Sequence, residues 1–313
     1  MNRPGLSRRR LMTTGAGAAL AATAVGAAAG PAAADTAPAA DPYVAKLPHQ
    51  IEAEQIVDYL LNTAPGDLLN QYKSIPAFDG QSTVVTWGTP GNPASYRVLA
   101  QCASFQTLVL ERAYGAGTGY GWATPAYFKD NFFPASTDTS KRYPDAAEFR
   151  TGFADAAAIL NLTAVTKPVN LRPGDLVAID YNNPNGTYSG HIVMIRKRKA
   201  AFASGVDAQV GAGAVPYVFE VVDCTDTPHG EPKNPPTGSL ADYQAYPDTR
   251  YVYTDPDVDL QTNTGVGYGH MVFYADPVTK LFAGHRWSVN DASPLTVAQQ
   301  PIAAARVYLG QLG

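Results

Sequence analysis

The segment Leu171-Arg172-Pro173-Gly174-Asp175-Leu176-Val177, followed after a Gly/Asn/Pro-rich turn by Gly190-His191-Ile192-Val193-Met194-Ile195, decides how the chain is read. Its two halves are short Val/Ile-rich runs bounded by turn formers, the pattern of β-strands. Working outward, the strand candidates are Asp175–Tyr181, His191–Arg198, Tyr217–Cys224, His270–Ala275, Leu281–Ser288 and Ile302–Tyr308. The connection Asp276-Pro277-Val278-Thr279-Lys280 is too short for a crossover and fits a hairpin, so the strands are expected to be antiparallel. Apolar residues at helical spacing come earlier. Residues 48 to 73 hold two short patterns, with Ile51, Gln55, Ile56, Tyr59 and Leu60 on one face and a break at Ala64-Pro65-Gly66. Helices are also expected over 98 to 114 and over 144 to 160, where Phe149, Phe153, Ala157 and Leu160 mark the buried side. Helices first and strands afterwards is the α+β pattern, with helices packed on one side of an antiparallel sheet.

The first 34 residues read as an address. Ser7-Arg8-Arg9-Arg10-Leu11-Met12 supplies a twin-arginine core, and an Ala/Gly-rich run follows to Ala34. A soluble protein exported by that route is the expectation. Without this segment the chain loses four arginines and no acid, leaving 19 Lys and Arg against 27 Asp and Glu. Such a balance argues against a nucleic-acid partner. The basic run Arg196-Lys197-Arg198-Lys199 is read as the solvated tip of a strand.

Cys102 and Cys224 are the two cysteines of the chain. An even count in an exported protein admits one disulfide, and the alternative is a nucleophile. A thiol attack needs a thiolate, a base for its proton and a group that orients the base. A Cys at a helix start has the positive end of the helix dipole beside it and free N–H groups to receive an oxyanion. Cys102 suits that position, with Phe105, Leu108 and Val109 to seat the helix on a sheet. Among five histidines, His191 opens a strand directly after a turn and is the best candidate for the base. His49 falls in the N-terminal part, His229 and His270 border a long loop from 225 to 269, and His285 lies inside the last hairpin. That loop exceeds an ordinary connection and reads as a functional rim. Gly265-Val266-Gly267-Tyr268-Gly269 has no helix after it and reads as a turn. No metal is expected, since Asp255-Pro256-Asp257-Val258-Asp259 lacks the Gly and Glu that complete a calcium loop, and no cofactor motif is present.

The Pro-Gly-Asp-Leu-Val run and the Gly-His-Ile-Val-Met-Ile run together resemble the signature of the NlpC and CHAP peptidases, as does the order Cys, Gly-Asp-Leu strand, His strand. The resemblance covers about residues 84 to 225 and implies a papain-like fold. It also implies a Cys102, His191 and Asp223 catalytic set, because in that family the third group sits on the strand after the His. Trp87-Gly88 is similar to the Trp-Gly that precedes the nucleophile in many members, and Tyr96 stands where some relatives carry a hydroxyl near the oxyanion. Both aromatics have an alternative reading as packed core residues. Around the nucleophile the chain departs from the family's Asp-Cys-Ser-Gly, with Gln101-Cys102-Ala103-Ser104-Phe105 instead; Gln101 is the candidate amide there.

The expectation is therefore a leader over 1–34, a helical extension over 35–80 and a catalytic domain over 81–313. The implied activity is amide hydrolysis in peptidoglycan or another peptide-like substrate by a monomer free of the membrane once the leader is removed. The rivals are an acyltransferase or esterase, and a catalytically silent wall-binding domain on the same frame.

Overall fold

A computed structural model describes residues 45–61, 69–73, 82–183, 188–200, 204–230, 245–255 and 259–309. The leader lies outside the described residues. The helices are α1 (Pro48–Leu60), α2 (Cys102–Tyr114), α3 (Pro125–Phe132) and α4 (Ala146–Ala154). The strands are β1 (Asn70–Tyr72), β2 (Val84–Thr86), β3 (Arg97–Ala100), β4 (Leu162–Ala164), β5 (Leu176–Asp180), β6 (Gly190–Arg198), β7 (Val215–Thr225), β8 (Tyr251–Asp255), β9 (Asp259–Thr262), β10 (Gly265–Ala275), β11 (Phe282–Arg286), β12 (Leu295–Thr296) and β13 (Ile302–Val307). Eight of the strands form one antiparallel sheet in the order β12-β11-β10-β7-β6-β5-β13-β4, and β1-β3-β2 form a small second sheet. The class is α+β. No described helix is long and apolar enough to cross a membrane.

Successive side chains of a strand point to opposite faces. Leu176, Ala178, Ile192, Met194, Val222 and Cys224 face α2 and α4, with Phe105, Phe149 and Phe153 in the same core. Their neighbours Val177, Ile179, Val193, Ile195, Phe219 and Val221 fill a second core on the other face. The sheet closes over that second core, because the turn Pro168–Asn170 after β4 reaches β10. Both faces are thus buried, which is why the strands read as unbroken apolar runs.

The segment around Gly174 is a structural corner. Gly174 has φ +89, a left-handed conformation that favours glycine. Its carbonyl accepts from His49 Nε2 at 2.7 Å, and Asp175 accepts both Nε and Nη2 of Arg306 at 2.8 Å each. Burial pushes the His49 imidazole down to about 4, so the ring is neutral and serves as a strut between α1 and this corner.

Several expectations change. Residues 70–72 form a strand paired in parallel with β3, because pairing to β3 supplies hydrogen bonds that a one-turn helix cannot. The helix expected from 98 starts at Cys102: Val98 and Leu99 are paired to both β1 and β2. The helix expected to 160 ends at Ala154, leaving Leu160 75% exposed while Ile159 takes the buried place. The run at Gly265–Gly269 is the first half of β10, paired to β7 along its whole length. Arg196 is no solvated tip: it lies over the Tyr268 ring at 4.1 Å and pairs with Glu220. Helix α1 also joins the main core, through Ala53, Ile56, Val57 and Leu60, and Ile51 faces outward.

Asp175 is fully buried and its partner Arg306 reaches it from β13, so Arg306→Met should cost about 2 kcal/mol by leaving a buried carboxylate half-paired. Urea unfolding measures this, and an unchanged midpoint would show that the corner does not depend on the pair.

Candidate active site

Gln101, extended (φ −97, ψ 169), follows β3 and caps α2; its backbone N–H donates to Ser104 Oγ at 3.0 Å, which fixes the first turn of α2 directly after it. Cys102 is the first helical residue, so it sits at the positive end of the helix dipole, where the N–H groups ahead of the capped Ser104 have no intrahelical acceptor. The helix is then pinned to β7 by Gln106, whose amide donates to the Val222 carbonyl at 3.0 Å. That bond sits one residue before Asp223.

His191 lies near the start of β6, and β7 runs beside it. Its Nε2 meets Asp223 Oδ2 at 2.8 Å. The remaining nitrogen, Nδ1, is left for Cys102. Burial lowers the His191 pKa, but the Cys102 sulfur and the Asp223 carboxylate outweigh it and lift the imidazole to about 9. Asp223 is buried too, which would raise its pKa; Arg250, His229 and His191 reverse that and hold it well below the ordinary carboxylate range. The structure thus brings Cys102, His191 and Asp223 to one place.

The loop after β7 completes the cluster. His229 Nε2 lies 2.9 Å from Asp223 Oδ2 and 3.3 Å from His191 Nε2, and its Nδ1 donates to the Trp287 carbonyl at 3.0 Å. Arg250 donates Nη2 to Asp223 Oδ1 and Nη1 to Asp248 Oδ2, the latter at 2.8 Å. Asp248 also accepts the His229 backbone N–H. Gly269 of β10 makes this packing possible: a Cβ there would stand 2.5 Å from Asp248 Oδ2 and 2.7 Å from the His229 carbonyl. The Trp287 ring covers both histidines, with centroids 3.8 Å from His229 and 4.8 Å from His191. His285 is buried behind them, and burial plus repulsion from His191 and His229 lowers its pKa to about 3.

The sequence marks His229 and the Asp248-Thr249-Arg250 run as unusual polar groups of the long loop, either for substrate or bonded among themselves, without placing them beside Asp223, and it gives no sign of Trp287. One further signal was present in the alternating glycines at 265, 267 and 269 opposite them. Residues 231–244 of the loop, and 256–258 of the Asp255–Asp259 stretch, lie outside the described residues.

Cys102 opens on a cleft of about 830 Å³ lined also by Lys73, Gln101, Asp138, Lys141 and Tyr143. His191 opens on an adjoining hollow of about 280 Å³ with Tyr72, Tyr181, Tyr188, Asp226 and Trp287. Tyr72, Tyr188 and Gly190 line both, so the two hollows adjoin. Burial, and after it the Cys102 sulfur, push the Tyr72 and Tyr181 hydroxyls up, keeping both protonated and able to donate. Gln101 lines the cleft; Trp87 and Tyr96 do not. The Trp87 indole donates to the Glu52 carbonyl, and Tyr96 is buried with its ring stacked on Tyr59 at 4.4 Å. Both pack α1 against the small sheet. Cys102 and Cys224 are free thiols, and the Cys224 thiol donates to the Ala100 carbonyl at 3.2 Å. Burial, then Asp223 and Cys102, raise it well above the ordinary thiol range.

The family models, the curated proteins and the solved structures contain no match to this chain. The geometry itself therefore carries the functional argument.

Gly269→Ala should force Asp248 and His229 away from β10 and separate His191 from its partners. The expected result is a destabilisation of about 1–3 kcal/mol by thermal or urea unfolding. A variant as stable as the parent would show that the loop does not pack as described.

Proposed function

We propose that the chain is an extracytoplasmic thiol hydrolase of the papain-like, NlpC and CHAP type that cleaves amide bonds in cell-wall peptides. One observation carries this reading: the His191 ring lies between the Cys102 sulfur and the Asp223 carboxylate, and Cys102 begins a helix. The chain order of nucleophile helix, Gly-Asp-Leu strand, His strand and Asp strand supports the papain-like assignment. The twin-arginine core at Ser7–Met12 supports export, and the acidic balance speaks against a nucleic-acid partner.

The mechanism follows from the placement. Cys102 gives its proton to His191 Nδ1, and the thiolate attacks the substrate carbonyl carbon. First-turn N–H groups of α2 receive the oxygen as it becomes negative. The intermediate collapses with the C–N bond breaking, and His191 passes its proton to the departing amine. A water that gives a proton to His191 then attacks the thioester, and the proton returns to sulfur as the acid leaves. Asp223 holds the ring so that Nδ1 faces the thiol throughout and stabilises its charged form. The charged and polar walls of the cleft, with Lys73, Asp138 and Lys141, suit a polar, extended substrate such as a wall stem peptide.

Released fragments from a wall digest, identified by mass, test the proposal. Cys102→Ala and His191→Ala should each lower turnover at least about 10³-fold with little change in melting temperature, and Asp223→Asn should lose less. Undiminished turnover in either of the first two variants would remove the assignment. Binding of the wall by the parent chain without release would instead favour the silent wall-binding module.

A further inference from the structure

The cluster around Asp223 contains a mismatch that a proton from His191 does not resolve. The Trp287 carbonyl can only accept, so His229 Nδ1 carries the hydrogen of that 3.0 Å bond. Nε2 then faces Asp223 Oδ2 at 2.9 Å, a contact that a cation, either a second proton on the ring or a metal ion, has to bridge. Without that cation two acceptors would face each other in a buried site. His191 Nε2, at 2.8 Å from the carboxylate and 3.3 Å from His229 Nε2, brings one hydrogen for both.

Charge repeats the same mismatch. Arg250 is shared between two buried carboxylates, Asp223 and Asp248, so these three groups carry one negative charge in excess, which a cation held by His191 and His229 would balance. An ion pair between Cys102 and His191 is neutral in itself and leaves that excess unchanged. A buried, uncompensated charge is costly.

From this arrangement we propose that His191 Nε2, His229 Nε2 and Asp223 Oδ2 form a binding site for a divalent transition metal of the zinc class. Donors bonded to one such ion at about 2.1 Å stand roughly 3.0–3.4 Å apart; the two nitrogens are 3.3 Å apart, and Asp223 Oδ2, at 2.8 and 2.9 Å from them, needs to draw back by only a few tenths of an ångström. Two imidazoles and a carboxylate are the donors zinc prefers. The surrounding contacts are those of metal-bearing ligands: His229 is held by a backbone carbonyl through its other nitrogen, and Asp223 Oδ1 is held by Arg250. His285, whose buried Nδ1 has no hydrogen-bond partner among the described residues, stands near both histidines as a further donor. The hollow lined by His191 and Trp287 gives the ion a way in.

The ion and the catalytic proton compete for one ring. Metal at His191 Nε2 confines the ring hydrogen to Nδ1, and the imidazole no longer accepts the proton of Cys102. Zinc would therefore block the thiol site reversibly. This consequence rests on the thiol hydrolase reading; the binding does not.

The test uses the untagged Cys102→Ser chain, stripped with EDTA, so that the nucleophilic thiol contributes nothing. Calorimetry with zinc, and visible absorption with cobalt as a spectroscopic substitute, should show one saturable ion per chain. His229→Asn and Asp223→Asn, checked for folding by circular dichroism, should each weaken it at least about 100-fold. X-ray absorption at the zinc edge of the Cys102→Ser complex should show scattering from at least two imidazoles, which keeps the proposal testable if a cluster variant fails to fold. The absence of saturable binding, an edge spectrum without imidazole, or a folded His229→Asn chain that binds within about threefold of its parent would overturn the site. In the wild-type chain, wall-digest turnover should fall with bound zinc and return with EDTA. Full turnover at saturation would overturn the blocking role, whereas zinc binding by a chain that never turns over would remove the thiol reading and leave the site standing.

Discussion

The Asp223 carboxylate, enclosed and shared by His191, His229 and Arg250, is the constraint on which the rest of the candidate site depends. A carboxylate without solvent is tolerated only when its lone pairs are taken up. That requirement explains why the long connection after β7 turns back onto the sheet. His229 and Arg250 reach Asp223, Asp248 neutralises part of Arg250 and holds the backbone of His229, and Gly269 leaves room for both. The loop is therefore part of the site's electrostatics as well as its rim.

The same logic separates two jobs within the stretch that decides the fold. Pro173-Gly174-Asp175 makes a corner held by His49 and Arg306 and is remote from chemistry in its own contacts. Gly190-His191 delivers the imidazole. Between them β5 and β6 are paired so that Ile179 stands opposite His191, and a rigid corner at one end of the hairpin fixes where the imidazole falls at the other. Helix α2 is registered against the same sheet by Gln106, so sulfur and imidazole are positioned from opposite sides of β7's neighbourhood.

Much of this was legible in the residues. The six strand candidates all correspond to strands, because each is a largely apolar or aromatic run set between turn formers. The pairing of His191 with Asp223 was legible only through the resemblance, since 32 residues separate them and no local pattern links a strand start to a strand end. Short elements were misread where tertiary pairing outweighs spacing: residues 70–72 and 98–100 acquire partners across the small sheet and become strands. Trp87 and Tyr96 had two readings, at the substrate or in packing, and they lie in packing; an aromatic's sequence position does not say which side of a strand or turn it takes. The place of His229 stayed hidden for the opposite reason. Its role is created by a loop folding back on β10, and the alternating glycines that permit this look like a turn when read alone.

The most direct measurement of the central claim is alkylation of the metal-free native chain with iodoacetamide at neutral pH, with the labelled residue located by mass. The account predicts a single early label on Cys102, none on the enclosed Cys224, and a rate at Cys102 at least about tenfold lower in His191→Ala. Labelling of Cys224 first, no labelling of either cysteine before reduction, or an unchanged rate in His191→Ala would contradict it.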